Sequence, residues 1–376
     1  MRKTLLILGM SAMSVFGFAA CSSETSHADG AANTSMVANS GQAYSRQSPI
    51  SDVINDPAFG DFGRLLFPAD NSYWSGTTLE DLRLTWYNGI DPDKTVEIVN
   101  TLKSQAEAGQ TVFYDIYTEA EKQADRDKRD TGLFFFRGNN GAPFAICNAG
   151  GGFAYVGAMH DSFPHALELS KKGYNAFALI YRPGWTTAYE DLARAITFIH
   201  DHADELGVSR DGYSLWGGSA GARMAATLGN SANLRQLTGR TDILGAVAVI
   251  MQYTGYDTVS PYDGPTYACC GTSDGIASWR GMQSRLEQLS ALGIPTEFHA
   301  YNGLPHGFGL GTGTVAEGWI DDAIRFWDQQ RSGSTRISQT RASDGSKPQA
   351  IYSLNGTRRD TLQRGVNIVD GRKIIK

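Results

Sequence analysis

A serine in the segment GGSAG, residues 217–221, is the strongest candidate for a reactive residue in this chain. The segment fits the pattern G-x-S-x-G, follows a short apolar run at residues 213–216 and precedes a helical pattern. A serine at such a junction lies on a tight turn, where flanking glycines remove Cβ atoms that would clash. The N-terminus of the following helix favours negative charge, which suits an alkoxide. The alternative for Ser219 is an ordinary glycine-rich turn in which the serine only caps the helix.

A serine hydroxyl is a weak nucleophile and needs a base beside it. The chain has seven histidines, and His306 lies in the loop LPHGF between a strand-like run and the last helical pattern. Because loops that follow parallel strands meet at one edge of a sheet, we expect His306 to be the base. His165, which follows a glycine-rich segment, is the second candidate.

A base of this kind needs a buried carboxylate that fixes its tautomer. Asp274 comes shortly after the strand-like run at residues 266–270 and precedes His306 in the chain. Its rivals are Asp257 and Asp263, which lie in the preceding loop. We expect Asp274 to be the acid, which gives the chain order Ser, Asp, His.

Three consecutive glycines lie in the segment NAGGGF, residues 148–153, directly after an apolar strand-like run. Glycines let several backbone N–H groups turn toward one point, as the oxyanion of a tetrahedral intermediate requires. A phosphate-binding loop is the competing interpretation. It is disfavoured because no Gly-Lys-Ser/Thr follows and no G-x-G-x-x-G opens a helix here.

Strand-like and helical runs alternate through most of the chain, after an antiparallel pair predicted at residues 111–117 and 132–137. Such alternation predicts an α/β fold with a mostly parallel central sheet and helices on both faces. The predicted strands are residues 143–148, 174–181, 212–216, 243–251, 266–270 and 296–301, and the predicted helices are 162–172, 187–205, 220–228, 274–291 and 315–329.

The composition indicates a chain that buries a large core. Hydrophobic residues make up 41% and charged residues 19%, and the net charge is −6. The body of the chain has no run rich in Lys and Arg, so a nucleic-acid partner is not expected. Three cysteines, Cys147, Cys269 and Cys270, lie in apolar runs and predict small core residues rather than disulfides or zinc ligands.

The N-terminus has the layout of an export signal. Arg2 and Lys3 precede an apolar run, and Cys21 follows two alanines. This resembles a bacterial lipoprotein signal, which implies lipidation of Cys21 and a membrane anchor in the cell envelope. Ser22 rather than Asp at the next position favours the outer membrane.

The expected organisation has six parts. These are a signal peptide at 1–20, a flexible tether at 21–50, a cap-like region at 51–110, a catalytic domain at 111–330, a linker at 331–348, and a small β tail or disordered tail at 349–376.

The motifs taken together, over residues 110–330, resemble an α/β-hydrolase of the esterase/lipase group. The resemblance is to the branch with an H-G-G-G-type loop, near the acetyl-xylan and feruloyl esterase-like members. It implies that the backbone N–H groups of Gly151, Gly152 and Ala220 form the oxyanion hole. The departure is Ala149, where that branch usually has a histidine.

The expected function is a serine carboxylesterase that hydrolyses short acyl esters, acetyl above all, on a carbohydrate or another polar alcohol. Aromatic residues near the strand ends, Phe153, Tyr155, Trp185 and Tyr253, are the expected substrate contacts. No metal or organic cofactor is expected. Two alternatives stay open: a serine peptidase of the same fold, and a binding lipoprotein with an inactive hydrolase fold.

Overall fold

The computed structural model describes residues 41–87 and 89–342, together with short backbone strands of the C-terminal tail. The predicted export signal and Cys21 lie outside the described residues. None of the helices within these ranges is both long and apolar enough to cross a membrane.

An eight-stranded sheet forms the centre of the molecule, in the order β10-β9-β8-β7-β5-β6-β4-β3. Near one edge β4 runs antiparallel to both of its neighbours, β3 and β6, and the six strands from β10 to β6 are parallel to one another. The predicted fold class is therefore confirmed. The strands are β3 (Phe113–Tyr114), β4 (Gly132–Phe136), β5 (Pro143–Asn148), β6 (Asn175–Ile180), β7 (Ser209–Gly218), β8 (Ala248–Gln252), β9 (Thr266–Gly271) and β10 (Thr296–Tyr301), and a separate short pair joins β1 (Trp74–Ser75) to β2 (Arg83–Leu84).

Helices connect the parallel strands and pack against the sheet. The central strands are almost wholly apolar and buried on both sides, as a parallel sheet covered by helices requires. The helices are α1 (Ile50–Ile54), α2 (Pro92–Glu107), α3 (Glu119–Ala124), α4 (Ala158–Asp161), α5 (Phe163–Lys171), α6 (Trp185–Asp201), α7 (Ala203–Leu206), α8 (Ala220–Gly229), α9 (Ser231–Thr238), α10 (Trp279–Ala291) and α11 (Trp319–Ala342).

The region before β3 belongs to the same core. The Tyr44 N–H donates to Asn100 Oδ1 at 2.7 Å, and Lys103 Nζ pairs with Asp56 Oδ2 at 2.8 Å. Ile98 and Leu102 of α2 are fully buried. The chain is thus part of the fold from Tyr44 onward, and the tether predicted to reach residue 50 is too long.

The C-terminal part also differs from expectation. Helix α11 continues to Ala342, so the linker predicted from residue 331 is wrong over that stretch. The sequence there is polar but contains no proline, and i,i+3 pairs such as Asp328–Arg331 support a helix. The described backbone of the tail is an antiparallel sheet in the order β12-β11-β13-β14. Its strands are β11 (Ile351–Ser353), β12 (Arg358–Arg359), β13 (Val366–Val369) and β14 (Arg372–Ile375).

Helix α8 crosses β5 and β7 at backbone contact. A Cβ placed on Gly221 would lie 2.0 Å from the carbonyl oxygen of Asn148, and one on Gly217 would lie 2.2 Å from the carbonyl carbon of Gly221. Both distances are far inside van der Waals contact, so neither position accepts a side chain. The two outer glycines of the G-x-S-x-G pattern are therefore packing requirements of this crossing.

Gly221→Ala is expected to destabilise the fold by more than about 3 kcal/mol, because its Cβ forces α8 away from β5. The matched control is Gly281→Ala at an exposed position of α10, where the nearest atom to a new Cβ is 3.9 Å away. That change should be neutral or stabilise by up to about 1 kcal/mol. Urea unfolding of the two variants checks this, and equal stabilities would contradict the packing argument.

Candidate active site

Three predicted residues meet at the carboxyl edge of the sheet. Ser219 lies between β7 and α8, Asp274 follows β9, and His306 follows β10. Ser219 Oγ lies 3.0 Å from His306 Nε2, and His306 Nδ1 lies 2.8 Å from Asp274 Oδ2. The arrangement can move a proton from the serine to the histidine while the carboxylate holds the ring in place.

The Asp274 side chain is fully buried, yet its carboxylate is well supplied with donors. The backbone N–H groups of Ile276 and Ala277 donate to Oδ1 at 2.8 Å and 2.7 Å. Burial opposes ionisation, but the hydrogen bonds from His306 and from these two amides outweigh it, so the pKa of Asp274 is below its ordinary value. An ionised carboxylate accepts the Nδ1 proton and leaves Nε2 free to accept from Ser219.

The rival acids and the rival base have other surroundings. Asp263 pairs with Arg285 at 3.1 Å, and Asp257 is exposed. His165 is buried, with Nδ1 donating to the carbonyl of Asp161, and burial lowers its pKa.

Strained backbone is concentrated at this site. Ser219 has φ 52° and ψ −114°, a conformation that turns its side chain out of the strand-to-helix junction. Among the described residues, the other non-glycine positions with positive φ are Trp86, Phe153 and Tyr253. Phe153 belongs to the glycine loop, Trp86 lies against that loop, and Tyr253 packs against His306. Such strain is retained where the surrounding structure enforces it, most often at functional sites.

The glycine loop lies directly beside Ser219. A Cβ on Gly150 would be 3.1 Å from the Ser219 Cβ, and Gly151 has φ +122°, which glycine adopts without strain. Within the described part of the chain, the N–H groups of Gly151 and Gly152 have no hydrogen-bond acceptor. Ala220 begins α8, so its N–H has no partner inside the helix. These free donors are the ones that an oxyanion hole needs.

Asp161 supports this loop from behind, and the sequence analysis missed it. It is fully buried, and its Oδ2 accepts from the Gly150 N–H at 3.0 Å and from the Tyr87 hydroxyl at 2.7 Å. Its Oδ1 accepts from the Tyr253 hydroxyl. Burial and the Asp161 charge raise the pKa of both phenols, which stay protonated donors. Asp161 thus holds the glycine loop in place. Ala149, where the sequence departs from the H-G-G-G pattern, is buried beside it.

The N-terminal region contributes two neighbouring aromatics to the site. The Tyr87 ring packs against His160 with centroids 4.3 Å apart, and it would lie 3.5 Å from a Cβ on Gly307. His160 Nε2 also hydrogen-bonds the Gly307 carbonyl at 2.8 Å, next to His306. The Trp86 ring lies over the glycine loop, 3.1 Å from a Cβ on Gly152. No local pattern joins these residues, so only the tertiary structure reveals them.

The four aromatics predicted to contact substrate have different surroundings. Trp185 is 57% exposed, whereas Tyr155 and Tyr253 are buried and use their hydroxyls on the Thr85 carbonyl and on Asp161. Phe153 is half-buried against Tyr189. The two buried tyrosines differ from the expectation, because their rings have almost no surface to offer a substrate. Tyr253 instead packs edge-on against His306, with centroids 5.1 Å apart.

Comparison with known proteins gives a family match over part of the chain. Residues 137–260 match the model of the BD-FAE family, an α/β-hydrolase esterase family. The matched segment contains the glycine loop and Ser219 but ends before Asp274 and His306. Among curated proteins, no sequence matches this chain.

Several solved structures are similar to slightly more than half of the chain. An α/β-hydrolase, MGS-M1, from a Medee basin deep-sea metagenome library is 22% identical, with 54% of this chain and 93% of that chain covered and a TM-score of 0.46. An acetyl ester-xyloside bifunctional hydrolase from Caldicellulosiruptor lactoaceticus is 20% identical, covering 53% and 88%, with a TM-score of 0.48. A carboxylesterase from Lactobacillus plantarum is 20% identical, covering 53% and 92%, with a TM-score of 0.46.

These TM-scores are below 0.5, so the fold class is established from the order and direction of the strands in this structure. The segment that the BD-FAE model matches contains β5, β6, β7 and β8, and Ser219 follows β7 within it. The chain therefore has an α/β-hydrolase fold, and its central segment, residues 137–260, is similar to the BD-FAE family.

Proposed function

We propose that this protein is a serine carboxylesterase that uses Ser219, His306 and Asp274. The observation that carries the proposal is the hydrogen-bonded series from Asp274 through His306 to Ser219, at 2.8 Å and 3.0 Å. The series lies beside a loop with free N–H groups, and the residues come from three separate loops. A histidine with a purely structural role does not need hydrogen bonds to a carboxylate on one ring nitrogen and to a serine hydroxyl on the other.

The proposed reaction has two halves. Ser219 Oγ attacks the ester carbonyl carbon while His306 Nε2 takes its proton, and the N–H groups of Gly151, Gly152 and Ala220 bind the oxyanion. The intermediate collapses, the ester C–O bond breaks, and His306 gives the proton to the leaving alcohol. Water then attacks the acyl carbonyl carbon while His306 Nε2 takes a proton from it. The bond from that carbon to Ser219 Oγ breaks, His306 returns the proton to Ser219, and the acid is released.

Changes in the triad test the mechanism. Ser219→Ala should remove nearly all turnover, and Asp274→Asn should lower kcat by about 10⁴, because the amide favours the wrong histidine tautomer. Asp257→Asn, an exposed acid of the neighbouring loop, is the matched control and should keep kcat. Nitrophenyl acetate hydrolysis and circular dichroism measure activity and folding.

A fluorophosphonate probe distinguishes an active serine hydrolase from the alternative, a binding lipoprotein with an inactive hydrolase fold. Wild-type protein should be labelled at Ser219, and Ser219→Ala should not. Wild-type turnover by folded Ser219→Ala, or no labelling of the wild type, would refute the mechanism.

Short acyl groups on a polar alcohol are the proposed substrate class. This proposal is supported by the two exposed apolar residues around the glycine loop, which are aromatic rather than aliphatic. Trp86 is 64% exposed and Trp185 is 57% exposed. Trp185 follows Gly184, whose N–H donates to the Phe153 carbonyl at 2.7 Å, so the two tryptophans flank the loop. Aromatic faces suit sugar rings, whereas a fatty chain requires a long aliphatic surface.

The acyl preference is tested with nitrophenyl acetate, butyrate, octanoate and palmitate, beside acetylated xylo-oligosaccharides, a feruloyl ester and aminoacyl anilides. Each buried methylene is worth about 0.8 kcal/mol, so a long-chain pocket would raise kcat/KM steeply with length. We expect a maximum at acetate or butyrate. A maximum at octanoate or longer contradicts the short-acyl proposal, and anilide cleavage faster than ester cleavage favours the peptidase alternative.

We also propose that the protein is anchored in the cell envelope through a lipid on Cys21. Support comes from the basic start, the apolar run and the two alanines before the cysteine. Cys21→Ser should move the protein from the membrane fraction to the released exported fraction, whereas Ser23→Ala should leave it in the membrane. Membrane retention of Cys21→Ser would contradict lipidation at this residue.

A further inference from the structure

One arginine beside the nucleophile is not used by the proposed mechanism. Arg223 lies in the first turn of α8, and its N–H donates to the Ser219 carbonyl at 3.2 Å. Helical side chains lean toward the N-terminus of their helix, which here is the end that carries Ser219. The guanidinium therefore belongs to the same edge of the sheet as the reaction.

Two aromatic rings flank this guanidinium. Its central carbon is 5.2 Å from the ring centroid of Trp185 and 5.6 Å from that of Tyr256. Trp185 begins α6, after β6, and Tyr256 follows β8, so both rings also lie at the carboxyl edge. Cation–π contacts of this kind hold the guanidinium plane but leave its N–H groups in need of acceptors.

Arg223 has no carboxylate partner within the described ranges, and its buried Nε has no hydrogen-bond acceptor there. The neighbouring Arg285 is a useful comparison, because it lies over the same Tyr256 ring at 5.2 Å. Arg285 is paired with Asp263, and the buried Arg182 is paired with Asp191 at 2.7 Å. Arg223 itself is half-buried, but a buried N–H group such as its Nε normally has an acceptor, so the lack of one is a feature to be explained.

We propose that Arg223 forms a subsite for a carboxylate carried by the ester substrate. The planar guanidinium can donate two parallel hydrogen bonds to a carboxylate, and the two aromatic rings beside it hold its plane in position. The inference rests on the proposed esterase function and narrows it to acidic esters. The carboxylate can lie in the alcohol half, as in a uronic acid residue, or in the acyl half, as in a dicarboxylic half-ester.

Two matched substrate pairs distinguish these sources. The first pair is an acetylated xylo-oligosaccharide with and without a uronic acid branch. The second is nitrophenyl hemisuccinate and nitrophenyl butyrate, which have similar length and differ in one carboxylate. For each pair the measurement is the ratio of kcat/KM for the charged ester to that for the neutral one, which does not depend on the active fraction of a preparation.

The wild type should prefer the charged ester about tenfold or more in at least one pair. Arg223→Gln should lower that ratio at least tenfold, and Arg223→Lys, which keeps the charge but loses the fork, should lower it less. The control Arg235→Gln also removes one positive charge, at an exposed position of α9, and should leave the ratio unchanged. In the wild type, raising the ionic strength should reduce the ratio.

Two results overturn the subsite: equal rates for both members of both pairs in the wild type, or an unchanged ratio in Arg223→Gln. Either result leaves the esterase itself intact as long as Ser219→Ala is inactive. Failure of the proposed function is recognised separately, by full turnover of these esters in Ser219→Ala.

Discussion

The direct backbone contact of α8 with β5 and β7 is the constraint on which the site depends. It admits no side chain at Gly217 or Gly221, so the helix cannot shift along the strands without a clash. Register completes the arrangement, because Asn148 of β5 pairs with Gly217 of β7. The glycine loop and the Ser219 turn therefore leave the sheet at the same level. Gly271 and Tyr301 pair in the same way, which brings the loops of Asp274 and His306 together.

A buried carboxylate next to the proposed oxyanion hole raises an electrostatic question, since negative charge there opposes a developing oxyanion. In this chain the Asp161 charge is spread over three hydrogen bonds, from the Gly150 N–H and from two phenols. Hydrogen bonds from these donors stabilise the carboxylate and reduce the charge that it presents to its surroundings. The same contacts fix the Gly150 peptide and so orient the two free N–H groups that follow it. Asp161 thereby provides support that Ala149 does not.

The sequence predicts those features that depend on local pattern. Alternating strand-like and helical runs specify a parallel sheet, and a parallel sheet brings the ends of its strands to one edge, so the fold class could be derived. The roles of Ser219, Asp274 and His306 remain predictions, although the structure brings the three side chains together. Asp161 and Tyr87 could not be found in this way, because 74 residues separate them and no periodicity relates them. The extension of α11 was missed because a polar helix and a polar linker have similar composition.

The tyrosine contributed by the N-terminal region has a consequence for how the protein can be divided. Tyr87 contacts the glycine loop, the loop of His306 and Asp161, so the segment before β3 forms part of the candidate site itself and is not a separate cap. A fragment cut at the limits of the family match would lack Tyr87 as well as two of the three candidate catalytic residues, Asp274 and His306. A fusion protein or a domain exchange built from this chain therefore has to include the residues from Tyr44 through α11 as one unit.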